Sequence, residues 1–285
     1  MMIKIGINAL LWTDSIGEAT IPLFAKVREL GFDLIELPIY TLSEKTAKAL
    51  AAELDANGLL RTSCTTCSEE ENLLSDDPRI RQQGIDALKY RLDRAAILGC
   101  TTLLGPLCSP LGSFTGSGPS DLEFGRAVES MRIAAEHAAS VQVKFAIEAV
   151  NRFESYFINC MEQGLRFVKA VDHPYCKLMF DTFHAHIEEK SVQDAIRSAA
   201  AELIHVHISE NDRSTPGAGQ VNWKTAFDTL AEIKYNGPMV IEAFGSSLPN
   251  LAAATRIWRK MYTTEEDLAS SGLQFIRQEW TRANS

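Results

Sequence analysis

The chain has 285 residues, of which 46% are hydrophobic and 23% are charged, and its formal net charge is -9. This composition is typical of a folded globular protein and excludes a largely disordered chain. The negative charge also argues against nucleic acid as a partner, because contacts to phosphates need clustered lysine and arginine side chains.

Apolar strand-like segments alternate with longer amphipathic segments along the chain. The predicted strands cover residues 3–12, 34–39, 60–66, 101–107, 144–150, 177–183, 203–209 and 239–244. The predicted helices cover residues 18–30, 43–57, 78–98, 121–140, 161–171, 191–201, 223–233 and 250–260. Ser43 is a helix-capping residue type, and Gly31, Gly58 and Gly99 follow the predicted helices as helix-ending glycines do. Eight strand–helix units without a central linker predict a single α/β domain, a closed (β/α)₈ TIM barrel.

A further amphipathic stretch, residues 263–280, follows the eight units. We therefore expect one domain over residues 1–285, with the barrel at about 1–262 and an extra C-terminal helix in an extension at 263–285. The sequence leaves open whether this helix packs on the barrel or on a second subunit. We also expect a homo-oligomer, either a homodimer or a homotetramer.

The six cysteines are spread over a large domain, which is unlike the dense pattern of a disulfide-stapled secreted protein. Cys64 and Cys67 have the spacing of a redox or zinc pair, but no second pair follows, so we interpret them as structural. The N-terminus has no secretory pattern, and no run of about 18 apolar residues occurs. We expect reduced thiols, no membrane partner and a cytoplasmic location.

Four of the predicted strands end in residues that bind metals: Glu148, Asp181, His207 and Glu242. The carboxyl ends of all barrel strands meet at one face, where barrel enzymes have their active sites. Each residue alone has an ordinary explanation, such as a salt bridge, a helix cap or an interior histidine. Together they are more informative, because burying four such groups in separate places would cost several kcal/mol of desolvation. Oxygen and imidazole ligands without thiolate favour Mn²⁺, with Co²⁺ or Mg²⁺ as alternatives.

Two further histidines lie close to these strand ends in the sequence. His205 is on the same strand face as His207 but one layer deeper, so we expect it in the core or in support of the ligands. His186 could also support them.

Three segments around the ligands resemble a known family. They are Glu148-Ala-Val-Asn-Arg-Phe-Glu154, Asp181-Thr-Phe-His184 and His207-Ile-Ser-Glu-Asn-Asp-Arg213. They resemble the ketose 3-epimerases, that is, the D-tagatose 3-epimerase and D-psicose (D-allulose) 3-epimerase group of the xylose-isomerase-like barrels. The detailed match covers residues 144–244, whereas the first half of the chain matches mainly in its strand–helix rhythm.

The resemblance implies an isomerase that inverts C3 of a free 2-ketose, of the D-tagatose, D-fructose/D-psicose or L-ribulose type, through a cis-enediolate. It implies that the four strand-end residues bind the metal and that Glu148 and Glu242 are also the acid/base pair. Glu154, His184 and Arg213 would hold substrate oxygens at the C1 to C3 end. Without the resemblance, Glu154 and Arg213 could form a surface ion pair and His184 could be a loop residue.

The remainder of the pocket matches the family less well. The segment 107–114 after the fourth strand cannot be matched, and His186 stands where asparagine is more usual in this family. Trp12, Phe114 and Phe244 could form apolar walls against sugar carbons or serve in ordinary packing.

Other functions use a similar scaffold. The nearest are an isomerase that moves hydrogen between C1 and C2, such as hydroxypyruvate isomerase, and a keto-inositol dehydratase. An endonuclease IV-like phosphodiesterase is disfavoured by the acidic charge and by the small number of histidines. A non-catalytic sugar-binding barrel would not need two facing carboxylates.

Overall fold

The computed structural model describes residues 3–285. Its strands are β1 (Ile5–Asn8), β2 (Leu34–Pro38), β3 (Leu60–Cys64), β4 (Thr102–Gly105), β5 (Lys144–Ile147), β6 (Cys176–Asp181), β7 (Leu203–Ile208) and β8 (Met239–Ile241). Its helices are α1 (Ile21–Glu29), α2 (Glu44–Ala56), α3 (Pro78–Leu98), α4 (Asp121–Val141), α5 (Met161–Val171), α6 (Thr182–Glu188), α7 (Val192–Ala199), α8 (Trp223–Glu232), α9 (Pro249–Thr255) and α10 (Glu265–Ala283).

The eight strands form one closed parallel barrel. Their order is that of the sequence, and β1 pairs with β8 as well as with β2. This confirms the predicted (β/α)₈ fold and the C-terminal helix. All eight carboxyl ends therefore open onto a single face of the barrel.

Local side-chain chemistry sets several element boundaries. The Ser43 hydroxyl accepts a hydrogen bond from the backbone N–H of Thr46 and starts α2, while Gly99 ends α3 with a φ of 76°. Residues 182–183, predicted as strand, instead begin α6. The reason is Asp181, whose carboxylate accepts from the backbone N–H of Phe183 at 2.7 Å and so caps that helix.

The core lies between the barrel and its surrounding helices. Its largest fully buried side chains are aromatic: Phe24, Phe32, Phe145, Phe167, Phe180 and Phe227. The C-terminal helix α10 belongs to this layer, because its buried residues Leu273 and Ile276 pack into the main core. A Cβ at Gly272 of α10 would come within 2.8 Å of Ile241 in β8. The question left open by the sequence is thus answered: α10 packs on the barrel.

All six cysteines lie among the described residues as free thiols, in agreement with the expected reduced state. Over residues 3–285, every helix is too short or too polar to cross a lipid bilayer.

Candidate metal centre and substrate cavity

The four predicted ligands meet at the carboxyl face of the barrel. Glu148 and Glu242 directly follow β5 and β8, Asp181 ends β6, and His207 is the penultimate residue of β7. Each contributes a ligand atom to a cluster in which all these atoms lie within 4.8 Å of one another. All four residues are buried, and none is more than 8% exposed. The structure therefore brings the predicted set together in one small, buried space.

Strand register explains how residues so far apart in sequence converge. Asp181 lies directly opposite His207 in the β6–β7 ladder, and His207 lies opposite Val240 in the β7–β8 ladder. Because side chains alternate across a strand, Glu242, two residues after Val240, points to the same side. The barrel interior thus receives one ligand from each of four successive strands.

Arg213 is a permanent cation in direct contact with this cluster. Its Nη1 lies 2.7 Å from Glu242 Oε2 and 3.0 Å from Asp181 Oδ2, and it donates to Ser209 Oγ at 2.9 Å. The guanidinium also stacks on the Phe183 ring, with 3.8 Å between its central carbon and the ring centroid. Burial opposes ionisation of Asp181, but Arg213 outweighs it and holds the pKa of that carboxyl well below its usual range.

Glu148 has a different environment from Glu242. Burial raises the pKa of Glu148 well above its ordinary value, and the negative charge of Glu242 raises it further. Its closest ionisable partner with a positive form is His184, whose Nε2 lies 3.5 Å from Glu148 Oε1. Glu148 and Glu242 therefore have different neighbours, because His184 is next to the first and Arg213 is next to the second.

His184 is held as a neutral side chain. Its Nδ1 accepts from the backbone N–H of Asn151 at 3.0 Å, and its Nε2 lies 3.1 Å from Arg213 Nη2, which can only donate, and 3.5 Å from Glu148 Oε1. Burial lowers the pKa of His184 to about 4. The same Asn151 donates its side-chain amide to Glu154 Oε1 at 2.8 Å. A single residue thus orders both His184 and Glu154.

The loop that carries Arg213 is organised by a buried carboxylate, Glu210. Its oxygens accept backbone N–H groups from Gly217 and Val221 at 2.9 and 3.0 Å, and the Trp223 indole N–H at 3.0 Å. Arg213 itself has a φ of 62°, an uncommon conformation for a residue with a side chain. The loop is therefore a built feature that aims the guanidinium at the cluster.

A cavity of about 190 Å³ opens above the cluster. Six predicted residues line it, namely Glu148, Glu154, His184, His207, Arg213 and Glu242. Phe244 also lines it, as expected for an apolar wall. The other lining residues include the apolar Leu10, Leu104 and Leu251, together with Tyr40, Cys64 and Thr65.

The two other predicted wall residues lie elsewhere. Phe114 is 51% exposed in the loop between β4 and α4, and Trp12 is partly buried against the main core. The structure does not bring either side chain to the cavity lining, and packing accounts for Trp12.

Two histidines near the ligands have separate positions. His205 is fully buried one layer below His207, as the alternation along β7 indicates, and its Nε2 lies 3.0 Å from Glu36 Oε2. His186, for which the sequence allowed a role in supporting the ligands, lines a different cavity of about 330 Å³ between α6, α7 and α8. None of the four candidate ligands lines that second cavity.

Sequence reasoning missed three polar residues that support the site: Glu36, Asn151 and Glu210. Glu36 had a signal that could have revealed it, because it is a charged residue in the middle of the otherwise apolar strand Leu34–Pro38. Asn151 lies inside the segment Glu148 to Glu154 that carries the family resemblance, and Glu210 lies between His207 and Arg213. Their partners are distant or in irregular loops, which periodicity does not reveal.

The cluster fits a divalent cation. His207 Nδ1 is buried and makes no hydrogen bond within residues 3–285, although it lies 3.4 Å from Glu242 Oε2. Burial opposes charge on His207, but the Glu242 and Glu36 carboxylates outweigh it and raise the pKa of this imidazole well above its ordinary value. Metal binding would displace that proton, as is usual for histidine ligands. Three carboxylates and one imidazole, without a thiolate, are a donor set suited to Mn²⁺, Mg²⁺ or Co²⁺.

Comparison with known proteins places this geometry in a family. Residues 24–279 match the family model of the xylose isomerase-like TIM barrel. The chain is 37% identical to the D-psicose 3-epimerase of Ruminiclostridium cellulolyticum, over 82% of this chain and 81% of that protein. It is 31% identical to the ketose 3-epimerase of Arthrobacter globiformis, over 98% of this chain and 97% of the relative.

A solved structure of an L-ribulose 3-epimerase superposes with a TM-score of 0.94 at 30% identity, covering 99% of this chain and 96% of the other. The chain belongs to the ketose 3-epimerases, a family of isomerases built on the xylose isomerase-like TIM barrel.

Proposed function

We propose that this protein inverts the configuration at C3 of a free 2-ketose, with Glu148 and Glu242 as the two proton carriers. The observation that carries the proposal is the pair itself: two buried carboxylates from different strands that reach the same cluster at the floor of one cavity. Membership of the ketose 3-epimerase family supports the same reaction.

The reaction needs a proton to leave one face of C3 and another to arrive on the opposite face. One carboxylate accepts the first proton, and the other, as a carboxylic acid, donates the second. Glu148 Oε1 lies 3.5 Å from His184 Nε2, while Glu242 Oε2 lies 2.7 Å from the Arg213 guanidinium, so the two carboxylates have different neighbours. The two roles exchange when the reaction runs in reverse.

Negative charge develops on the substrate oxygens as the C3 proton leaves. Arg213 donates to Glu242 at 2.7 Å and can stabilise this charge, and the His184 imidazole lies beside it, with Nε2 at 3.1 Å from Arg213 Nη2. Glu154, fixed by Asn151, can accept a hydrogen bond from a substrate hydroxyl and so orient the sugar. A divalent cation held by Glu148, Asp181, His207 and Glu242, with Mn²⁺ as first choice and Co²⁺ or Mg²⁺ as alternatives, would supply Lewis-acid stabilisation of the same charge.

The cavity favours an unphosphorylated sugar. Of the described residues that line it, Arg213 is the one lysine or arginine, and its guanidinium already contacts Asp181 and Glu242. A phosphate group would need further donors with positive charge. The lining offers Leu10, Leu104 and Leu251 instead, which suit sugar carbons and hydrogens.

Two other functions share the scaffold. An isomerase acting between C1 and C2 would use the same cluster and would move a different hydrogen. A non-catalytic sugar-binding barrel would bind a ketose without exchanging any hydrogen.

The cytoplasmic location and the homodimer or homotetramer stay predictions from the sequence.

The position of solvent deuterium separates these functions. The protein is incubated in D₂O with Mn²⁺ and, separately, with D-tagatose, D-fructose, L-ribulose and a ketose phosphate, and the sugars are analysed by NMR. We expect deuterium at C3 and formation of the C3 epimer from a free ketose. Label at C1 alone would establish the isomerase instead, and no exchange with any sugar would favour the binding protein.

A further inference from the structure

A further buried carboxylate lies directly beneath the candidate metal centre. Glu36, in the middle of β2, is 0% exposed, and no lysine or arginine among residues 3–285 forms an ion pair with it. Removing a carboxylate from water without a strong cation costs several kcal/mol, so its surroundings must compensate. Hydrogen bonds from three other strands do so, namely from Asn8 in β1, Thr62 in β3 and His207 in β7, and His205 Nε2 lies 3.0 Å from Glu36 Oε2 without a hydrogen bond.

The direction of each hydrogen bond to Glu36 can be worked out. The Asn8 side-chain oxygen accepts from the backbone N–H of Leu10 at 2.9 Å, so its amide nitrogen must be the end that faces Glu36 Oε1, at 2.9 Å. Glu36 Oε1 is therefore an acceptor. The same oxygen lies 2.7 Å from His207 Nε2. The hydrogen between these two atoms consequently belongs to the imidazole Nε2.

This bond decides which nitrogen of His207 can bind a cation. With Nε2–H donated to Glu36, Nδ1 is the nitrogen left for the metal, and it lies 3.4 Å from Glu242 Oε2 and 3.8 Å from Asp181 Oδ2. A histidine ligand in a metalloprotein commonly donates its other N–H to a carboxylate, which fixes the ring orientation and raises its basicity.

An alternative is that Glu36, His205 and His207 hold an ion of their own, because their polar atoms also lie within 4.8 Å of one another. The hydrogen bonds oppose this. Thr62 and Asn8 already donate to the two oxygens of Glu36, at 2.8 and 2.9 Å, and both imidazoles are in direct contact with it. All three side chains of this group are fully buried.

We propose that Glu36 is a positioning residue that holds His207 with Nδ1 toward the cluster and thereby sets the affinity of the centre for its divalent cation. This inference rests on the proposed role of His207 as a metal ligand. Glu36 acts through His207 and touches neither the substrate cavity nor the reacting atoms.

The test measures Mn²⁺ binding by the full-length, metal-stripped protein, with free Mn²⁺ followed by electron paramagnetic resonance. We expect Glu36→Gln to weaken binding by about 10–100-fold, the range typical when such a hydrogen-bond partner of a ligand is lost. Thr62→Val is the matched control, because it removes one donor to Glu36 Oε2 and leaves the contact with His207 intact. It should change binding far less. Equal losses in both variants, or wild-type affinity in Glu36→Gln, would overturn the proposal.

A second measurement needs no variant and covers the case in which Glu36→Gln does not fold. In the diamagnetic Mg²⁺-loaded wild-type protein, ¹⁵N NMR of histidine side chains should show His207 protonated at Nε2 and not at Nδ1. The opposite tautomer would refute the proposal.

Two Mn²⁺ ions per chain, with one lost in Glu36→Gln, would establish the separate ion site instead. If His207→Gln keeps wild-type affinity, the metal assignment of the proposed function fails; if it loses Mn²⁺ while Glu36→Gln does not, only the role of Glu36 fails.

Discussion

Replacing Arg213 by methionine is expected to destabilise the metal-free protein by about 3–5 kcal/mol, the usual cost of leaving buried charges without their partner. Arg213 is 6% exposed, and its Nη1 contacts both Glu242 and Asp181 within 3.0 Å. Methionine keeps an unbranched apolar chain next to Phe183. The φ of 62° is about equally unfavourable for methionine and for arginine, so the substitution chiefly tests the loss of the positive charge.

Thermal unfolding in the presence of EDTA measures this effect. For a chain of this size the loss corresponds to a melting temperature lower by roughly 6–15 °C. Added Mn²⁺ should restore part of the loss, because the dication supplies positive charge to the same carboxylates. A metal-free melting temperature equal to that of the wild type would refute the view that Arg213 balances the cluster.

The matched control for this experiment is Arg197→Met. Arg197 pairs with Glu232 on the surface at 2.7 Å, and the two side chains are 44% and 49% exposed. Exposed pairs of this kind contribute about 0–1 kcal/mol. The control should therefore melt close to the wild type, with or without Mn²⁺.

Two further outcomes follow from the same contacts. Since burial lowers the pKa of His184 from 6.5 to about 4, the unfolded chain takes up this proton first as the pH falls. The free energy of unfolding of the metal-free protein should then decrease by up to about 3 kcal/mol between pH 6.5 and 4 on account of this group. Denaturant titrations at several pH values should show that His184→Gln lacks this part of the decrease. The same dependence of unfolding free energy on pH in both proteins would contradict this prediction. Gly105→Ala should destabilise by about 2 kcal/mol or more, because Gly105 has a φ of 131° and a Cβ there would collide with the Thr65 carbonyl oxygen. Gly118→Ala, at a position with open space around it, should stay within about 0.5 kcal/mol of the wild type, and similar stabilities for both variants would refute this explanation.

The barrel could be predicted because its signals are local. Helices α3 and α5 begin and end at the predicted residues, and the strand ends that carry Glu148, Asp181, His207 and Glu242 follow apolar runs. Strand ends were predicted less well. Residues 242–244 lie beyond β8, and residues 9–12 leave β1 as a turn of 3₁₀ helix that the Asn8 side chain caps.

The missing parts of the site depend on contacts that exist only after the barrel closes. Glu36 meets His207 across the barrel interior, although the two residues are 171 positions apart in the chain. Phe114 and Trp12 illustrate the converse. Both are aromatic residues in loops after strands, but a loop position does not determine the direction of a side chain, and neither lines the cavity.

The central claim is that Glu148 and Glu242 both carry protons to and from C3. The direct measurement is solvent deuterium incorporation at C3 by Glu148→Gln and Glu242→Gln, each with Mn²⁺ and the best free ketose. We expect both variants to lose C3 exchange and epimerisation, while the ketose still raises their melting temperatures in part, because Arg213, His184 and Glu154 are unchanged. Full wild-type exchange in either variant would contradict the account.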